Sequence, residues 1–111
     1  MSPPINFLRL YRKRSPLTQS DIAYLLGLPD DSNISRYEKG QREPGIEFLL
    51  VYHLLFNATI ESFFEYQSAE VRANLLQRIE ALNIGLRKDG NNAKHLSKIK
   101  FLEQVISRLT T

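Results

Sequence analysis

The stretch from Leu17 to Pro44 limits the fold of this chain more than any other part of the sequence. Thr18 is a good helix N-cap, and Asp21, three residues later, can bond back to the backbone of the cap. Apolar residues then recur at helical spacing: Ile22, Ala23 and Leu26. Gly27 can adopt the left-handed conformation that ends a helix. This stretch therefore begins with one short helix.

A second short helix is expected directly after a tight connection. The run that follows offers one or more caps for it: Pro29, Asp30, Asp31 and Ser32. The helix should run to Lys39, because Gly40 can end it and Pro44 prevents the following loop from becoming helical. Two helices joined so closely form a helix-turn-helix, in which the second helix is the candidate recognition helix.

Spaced residues in this region and beyond it resemble the phage repressor/Cro-type (XRE-like) helix-turn-helix family of transcription regulators. The matching residues are Thr18-Gln19-x-x-Ile22-Ala23-x-x-Leu26-Gly27-Leu28, Ile34-Ser35-Arg36-Tyr37-Glu38-x-Gly40-x-Arg42-x-Pro44, Ile46-Glu47-x-Leu49-Leu50 and Ile60-Glu61-Ser62-Phe63-Phe64. The resemblance covers roughly residues 5 to 66 and implies an all-α, five-helix DNA-binding domain. One departure is the loop between Leu28 and Ile34, which has five residues where the family usually has four. Which side chains before Ile34 face DNA therefore stays open.

Eight side chains are candidate DNA contacts. Arginine can pair two-pronged with guanine and asparagine with adenine, so Arg36 and Asn33 are the best candidates for base contacts. Gln19 matches the family's phosphate-binding glutamine, at the start of the helix before the turn. The full set is Gln19, Ser32, Asn33, Ser35, Arg36, Lys39, Gln41 and Arg42.

Simpler roles remain open for several of these residues. Ser32 and Asn33 could merely cap the helix, and the residues after it (Lys39, Gln41 and Arg42) could form a solvated loop instead of contacting phosphates. Asp30 and Asp31 fit helix caps that favour the helix dipole, although an aspartate can also accept from a cytosine amino group.

Arg12 falls on the inner side of the first helix, which we expect over about residues 6–14, and a buried cation is costly unless it is paired. By its position it matches the family's buried partner of the glutamate in the recognition helix, here Glu38. The resemblance thus implies a structural ion pair between Arg12 and Glu38. The alternative is two separately solvated charges.

A fourth helix is expected from about Ile46 to Phe56, and it is apolar nearly all round. Such a helix should be covered on more than one side, by the C-terminal segment or by another subunit. Thr59 should cap a short fifth helix that completes the core with Phe63 and Phe64. We place the helix-turn-helix domain at residues 1–66.

Residues 67–111 form a different pattern, of two amphipathic helices separated by Asp89–Asn92. The first carries an apolar stripe: Val71, Leu75, Ile79 (or the adjacent Arg78), Leu82 and Leu86. The second, over about residues 94–109, carries another: Ile99, Leu102, Val105, Ile106 and Leu109. These stripes must pack on the fourth helix, on each other or on a second protomer. This extension is expected to dimerise or to pack in cis on the fourth helix.

The composition argues against a membrane-spanning protein, a metal site and an enzyme. The 111 residues are 42% hydrophobic, contain no cysteine and include no apolar run that could cross a membrane, so we expect a soluble, cytoplasmic protein. Neither His53 nor His95 lies in a plausible metal cluster or catalytic triad, and we expect no enzyme activity, cofactor or metal. Net charge is −1 in residues 1–66 and +4 in residues 67–111. This distribution is weak evidence for or against DNA binding.

These observations predict a sequence-specific regulator of double-stranded DNA. It would be a repressor acting as a homodimer on a palindromic operator, with half-sites about one helical turn apart. The alternative is an antitoxin-like module on the same fold, whose C-terminal helices in residues 67–111 bind a protein partner.

Overall fold

The computed structural model describes residues 5–90 and 92–111, and the regular structure within these ranges is entirely helical, which confirms the expected all-α class. The helices in the described residues are α1 (Leu8–Lys13), α2 (Gln19–Leu25), α3 (Ser32–Glu38), α4 (Ile46–Phe56), α5 (Ile60–Phe63), α6 (Glu65–Lys88) and α7 (Ala93–Thr110). Within these ranges, none of the helices has both the length and the apolar content that crossing a membrane requires.

The chain divides into two compact units, the first ending at Ser68 and the second beginning at Ala69. The division predicted from the sequence, between residues 66 and 67, falls close to this boundary. The turn between the last two helices includes Asn91, which lies outside the described residues.

The ends of the short helices follow the local signals in the sequence. The hydroxyl of Thr18 accepts a hydrogen bond from the backbone N–H of Asp21 at 3.1 Å, and the Asp21 carboxylate accepts one from the N–H of Thr18 at 2.9 Å. These bonds hold the pKa of Asp21 below its ordinary value, because they stabilise the charged carboxylate. Gly27 (φ +71°) and Gly40 (φ +72°) both take the left-handed conformation after their helices.

One apolar core holds the first unit together. Its buried members come from every helix of that unit up to α5: Leu8, Ile22, Ala23, Ile34, Phe48, Tyr52 and Phe63. Aromatic rings fill its centre, with Phe48 stacked on Tyr52 at 4.4 Å between centroids and Tyr37 edge-on to Phe48 at 4.7 Å. Ile34 and Tyr37 therefore fix the inner side of α3 against α4.

Helix α4 has its predicted bounds but is not covered all round. Phe48 and Tyr52 face the core, whereas Ile46 is 76% exposed, Leu50 is 47% exposed and Leu54 is 77% exposed. That the C-terminal segment or another subunit covers this outer face stays a prediction.

In the second unit, the buried line on α6 differs from the predicted stripe. Ile79 and Leu86 are buried as expected, but the buried residue between them is Asn83, while Val71, Leu75 and Leu82 are exposed. Ile99 is buried on α7. The two helices are joined by a hydrogen-bonded ion pair between Arg87 and Glu103 at 2.8 Å. Because the stripe on α6 is wider than its buried line, an apolar edge remains open to solvent.

Candidate nucleic-acid interface

Helix α3 has a polar outer ridge and an apolar inner side. Ser32, Arg36 and the C-cap residue Lys39 are exposed and lie four and three residues apart, so they project from one side of the helix and its C-terminal end. Ile34, on the other side, is fully buried. The helix can therefore present this ridge without disturbing the core.

An ion pair anchors the C-terminal end of α3. Arg12 of α1 donates from Nε to Oε1 of Glu38 at 2.5 Å and from Nη2 to Oε2 at 3.1 Å. Only 8% of the Arg12 side chain and 2% of the Glu38 side chain are exposed. The hydrogen bond to Glu38 raises the pKa of Arg12, although burial acts in the opposite direction. This is the pair that the resemblance implied, and it ties the last residue of α3 to the first helix.

The same carboxylate also holds Gln19. Its Nε2 donates to Oε2 of Glu38 at 3.0 Å. Because a primary amide has two N–H groups, one of them remains for another acceptor. The resemblance implies that Gln19 contacts a phosphate, and the structure adds that Glu38 orients its amide.

Tyr52 lies beside this network. Its hydroxyl is buried and has no hydrogen-bond partner among the described residues. Burial raises the pKa of this phenol, and the negative charge of Glu38 raises it further. Tyr52 therefore stays neutral, which is the form that tolerates burial next to a carboxylate.

Asp30 caps the start of α3 through its side chain. Its Oδ1 accepts from the backbone N–H of Ser32 at 3.0 Å and from the Ser32 hydroxyl at 2.6 Å. These bonds hold the pKa of Asp30 below its ordinary value. Asp31, at the N-cap position, makes no capping bond and instead accepts from the Ser20 hydroxyl at 3.3 Å. Ser32 thus takes part in the helix start, which favours the capping alternative for this residue.

Asn33 does not cap the helix. Its Oδ1 accepts a hydrogen bond from Nη1 of Arg42 at 3.1 Å. Arg42 lies in the loop after α3, so the loop folds back along the helix and brings these two candidates together. Both side chains keep further hydrogen-bonding capacity, because Asn33 retains its amide donors and Arg42 retains four other N–H groups.

The remaining candidates differ in exposure. Ser35 is half-buried, whereas Lys39 and Gln41 are exposed. The backbone N–H of Gln41 donates to the carbonyl of Arg36 at 2.9 Å, which fixes the chain as it leaves the helix. The side chain of Arg36 makes no hydrogen bond to any described residue, so all its N–H donors are available, as are those of the Lys39 and Gln41 side chains.

Two contacts at this site could not be found by spacing. The Gln19–Glu38 and Asn33–Arg42 bonds join residues 19 and 9 positions apart, and no local pattern pairs their side chains. Within residues 5–90 and 92–111, no group of three His, Cys, Asp or Glu residues could hold a metal ion.

Comparison of the chain with family models, curated proteins and solved structures found no match.

Proposed function

We propose that this protein is a sequence-specific, double-stranded DNA-binding regulator of the repressor/Cro type. In this proposal α2 and α3 form the helix-turn-helix, and α3 enters the major groove. One observation carries it: the outer ridge of α3 holds exposed polar side chains, while Ile34 and the Arg12–Glu38 pair fix the helix from behind.

Arg36 is the principal base contact in this proposal. It is exposed in the middle of the ridge, and its guanidinium can give two parallel hydrogen bonds to guanine. The Asn33–Arg42 pair supplies a second contact beside it. The Asn33 oxygen has a second lone pair, so it can still accept from adenine while it holds Arg42.

Contacts with the DNA backbone come from the residues around α3. Lys39, Gln41 and Arg42 follow the helix and reach the adjacent phosphates, and Gln19 offers its remaining amide N–H. This local placement matters because residues 1–66 have a net charge of −1. Binding thus depends on where the cations lie and not on the overall charge of the unit.

The regulator is proposed to act as a homodimer and as a repressor on a palindromic operator. A single module of this size buries little DNA surface, and a dimer doubles it. Support comes from the exposed apolar edge of α6, formed by Val71, Leu75 and Leu82, since exposed apolar residues in one row are typical of an interface. Half-sites would then lie about 34–36 Å apart, one helical turn of DNA.

Selection of bound duplexes from a random pool tests this proposal. We expect enrichment of a two-fold-related sequence, with half-site centres about 10 base pairs apart or a multiple of that spacing. Enrichment of a single unrepeated site would contradict the dimer. No enrichment at all would contradict DNA recognition.

A protein partner is the second candidate for the C-terminal helices. In addition to the apolar edge of α6, two apolar side chains of α7 are exposed: Phe101 is 61% exposed and Leu96 is 53% exposed. An antitoxin-like module would use such residues to cover a partner protein. The solution mass and the duplex selection together separate the two interpretations. A stable monomer that enriches no duplex favours a protein-binding role.

A further inference from the structure

A polar cleft of about 700 Å³ opens beside α3, between the end of α1 and the start of α2. Besides the buried Arg12, its wall has three exposed cations, of which two come from α1: Arg9 and Lys13. A third, Lys39, belongs also to the outer ridge of α3. The cleft therefore adjoins the surface proposed to enter the major groove, but it is built largely by other helices.

Arg9 and Lys13 have no structural role that explains their placement. They lie four residues apart on one face of α1, where like charges repel and weaken a helix. Both are exposed, and neither forms an ion pair or a side-chain hydrogen bond with any described residue. The simplest alternative is a pair of solvated surface cations. Arg9 and Lys13 differ from such solvated cations because both line the same cleft beside α3.

Arg14, the next residue, shows the contrast. Its guanidinium lies over the ring of Tyr11, 5.9 Å from the ring centroid, and it does not line the cleft. This placement is an ordinary cation–π contact at the end of a helix.

The charge in the cleft favours an anion. Glu38 is part of its wall, but Arg12 already neutralises that carboxylate. Asp31 is the other acid, and it accepts a hydrogen bond from Ser20. Arg9, Lys13 and Lys39 then leave an excess of positive charge around a wall that also offers hydroxyl groups.

We propose that this cleft receives a backbone phosphate of the bound duplex, and that Arg9 and Lys13 are DNA contacts. The inference rests on the proposed function and extends the interface from α3 to α1. Lys39 links the two surfaces, since it lies on the ridge and in the cleft. A duplex that accepts the ridge in its major groove would bring one flanking strand past Lys39 to the two α1 cations.

The test compares the double variant Arg9→Gln/Lys13→Gln with Arg14→Gln, which removes a neighbouring charge outside the cleft. The probe is a duplex selected by the wild-type chain, carrying one neutral methylphosphonate at each backbone position in turn. We expect one position per half-site at which neutralisation weakens wild-type and Arg14→Gln binding but leaves the double variant unaffected. The plot of log K against log salt concentration has a negative slope. The magnitude of this slope should also fall by about one for each phosphate that the double variant no longer neutralises. Thermal unfolding of both variants checks that they are folded.

An unchanged methylphosphonate profile in the folded double variant, while wild type still selects a duplex, would overturn this inference alone. A wild-type chain that selects no duplex would overturn the proposed function, and this inference with it. A third measurement separates duplex phosphate from a free anion. Inorganic phosphate is not expected to raise the melting temperature of wild type by more than it raises that of the double variant. If phosphate raises the melting temperature of wild type by more, while the methylphosphonate profile of the double variant is unchanged, the cleft is a site for small anions instead.

Discussion

Arg12 and Glu38 form a two-pronged ion pair that joins the first helix to the last residue of α3. The pair is almost fully buried, and Gln19 donates a third hydrogen bond to the same carboxylate. A buried carboxylate with three charge-assisted or polar donors is well compensated. The outer ridge of α3 is held in place by this network at one end and by the Asp30 cap at the other.

Removing Arg12 should therefore destabilise the protein strongly. Arg12→Ala leaves the Glu38 carboxylate buried without its cation, and the free energy of unfolding should fall by about 3–5 kcal/mol. Urea unfolding measures this change. Arg14→Ala is the matched control, since that arginine is exposed and its removal should cost less than about 1 kcal/mol. Equal destabilisation of the two variants would contradict a structural role for the buried pair.

Acid should weaken the start of α2 through Asp21. Its pKa is lowered in the folded chain, from an ordinary value of 3.8, by the Thr18 hydrogen bonds. A group with a lowered folded pKa stabilises the fold above its unfolded pKa, and this contribution is lost as pH falls through the folded value. The wild-type urea midpoint should thus decline more steeply below about pH 4 than that of Asp21→Asn. Parallel pH profiles would argue against the capping box as the cause.

Arg36 should determine base preference at one position in each half-site. Arg36→Ala removes the exposed guanidinium from the middle of the ridge, and discrimination at that base pair should fall by about 1–3 kcal/mol. Repeating the duplex selection with this variant measures the change. Gln41→Ala provides a comparison, because it should weaken all duplexes alike and leave the selected sequence unchanged. If the two variants select the same sequence as wild type, Arg36 is not a base contact.

The exposed edge of α6 should control self-association. Leu82→Glu introduces a charge at a side chain that is 53% exposed, so the folded monomer should lose little stability while the dimer dissociates. Sedimentation at micromolar concentration measures the solution mass. Ile79→Ala is the contrasting variant, because that residue is 4% exposed and its truncation should cost about 2–5 kcal/mol of stability. A dimer that survives Leu82→Glu would place the interface elsewhere.

The elements of this chain were largely predictable from the sequence. The Thr18–Asp21 pair, Gly27, Gly40 and Thr59 act on backbone groups within a few residues, so their effect does not depend on the rest of the fold. The same is true of α4, whose apolar run between Gly45 and Asn57 has the predicted bounds. The position of Ile34 in the core also followed from its spacing with Tyr37.

Only the tertiary structure decided which polar groups meet. Gln19 with Glu38, Asn33 with Arg42, and Arg9 with Lys39 around one cleft come from separate segments that helix packing brings together. Packing likewise buries Asn83 of α6, whereas three apolar side chains of the same helix stay exposed: Val71, Leu75 and Leu82. A stripe in the sequence gives the apolar side of a helix, but the width of the neighbouring element determines how much of that side is covered. Local chemistry thus determined the helices, and long-range packing determined the surfaces between them.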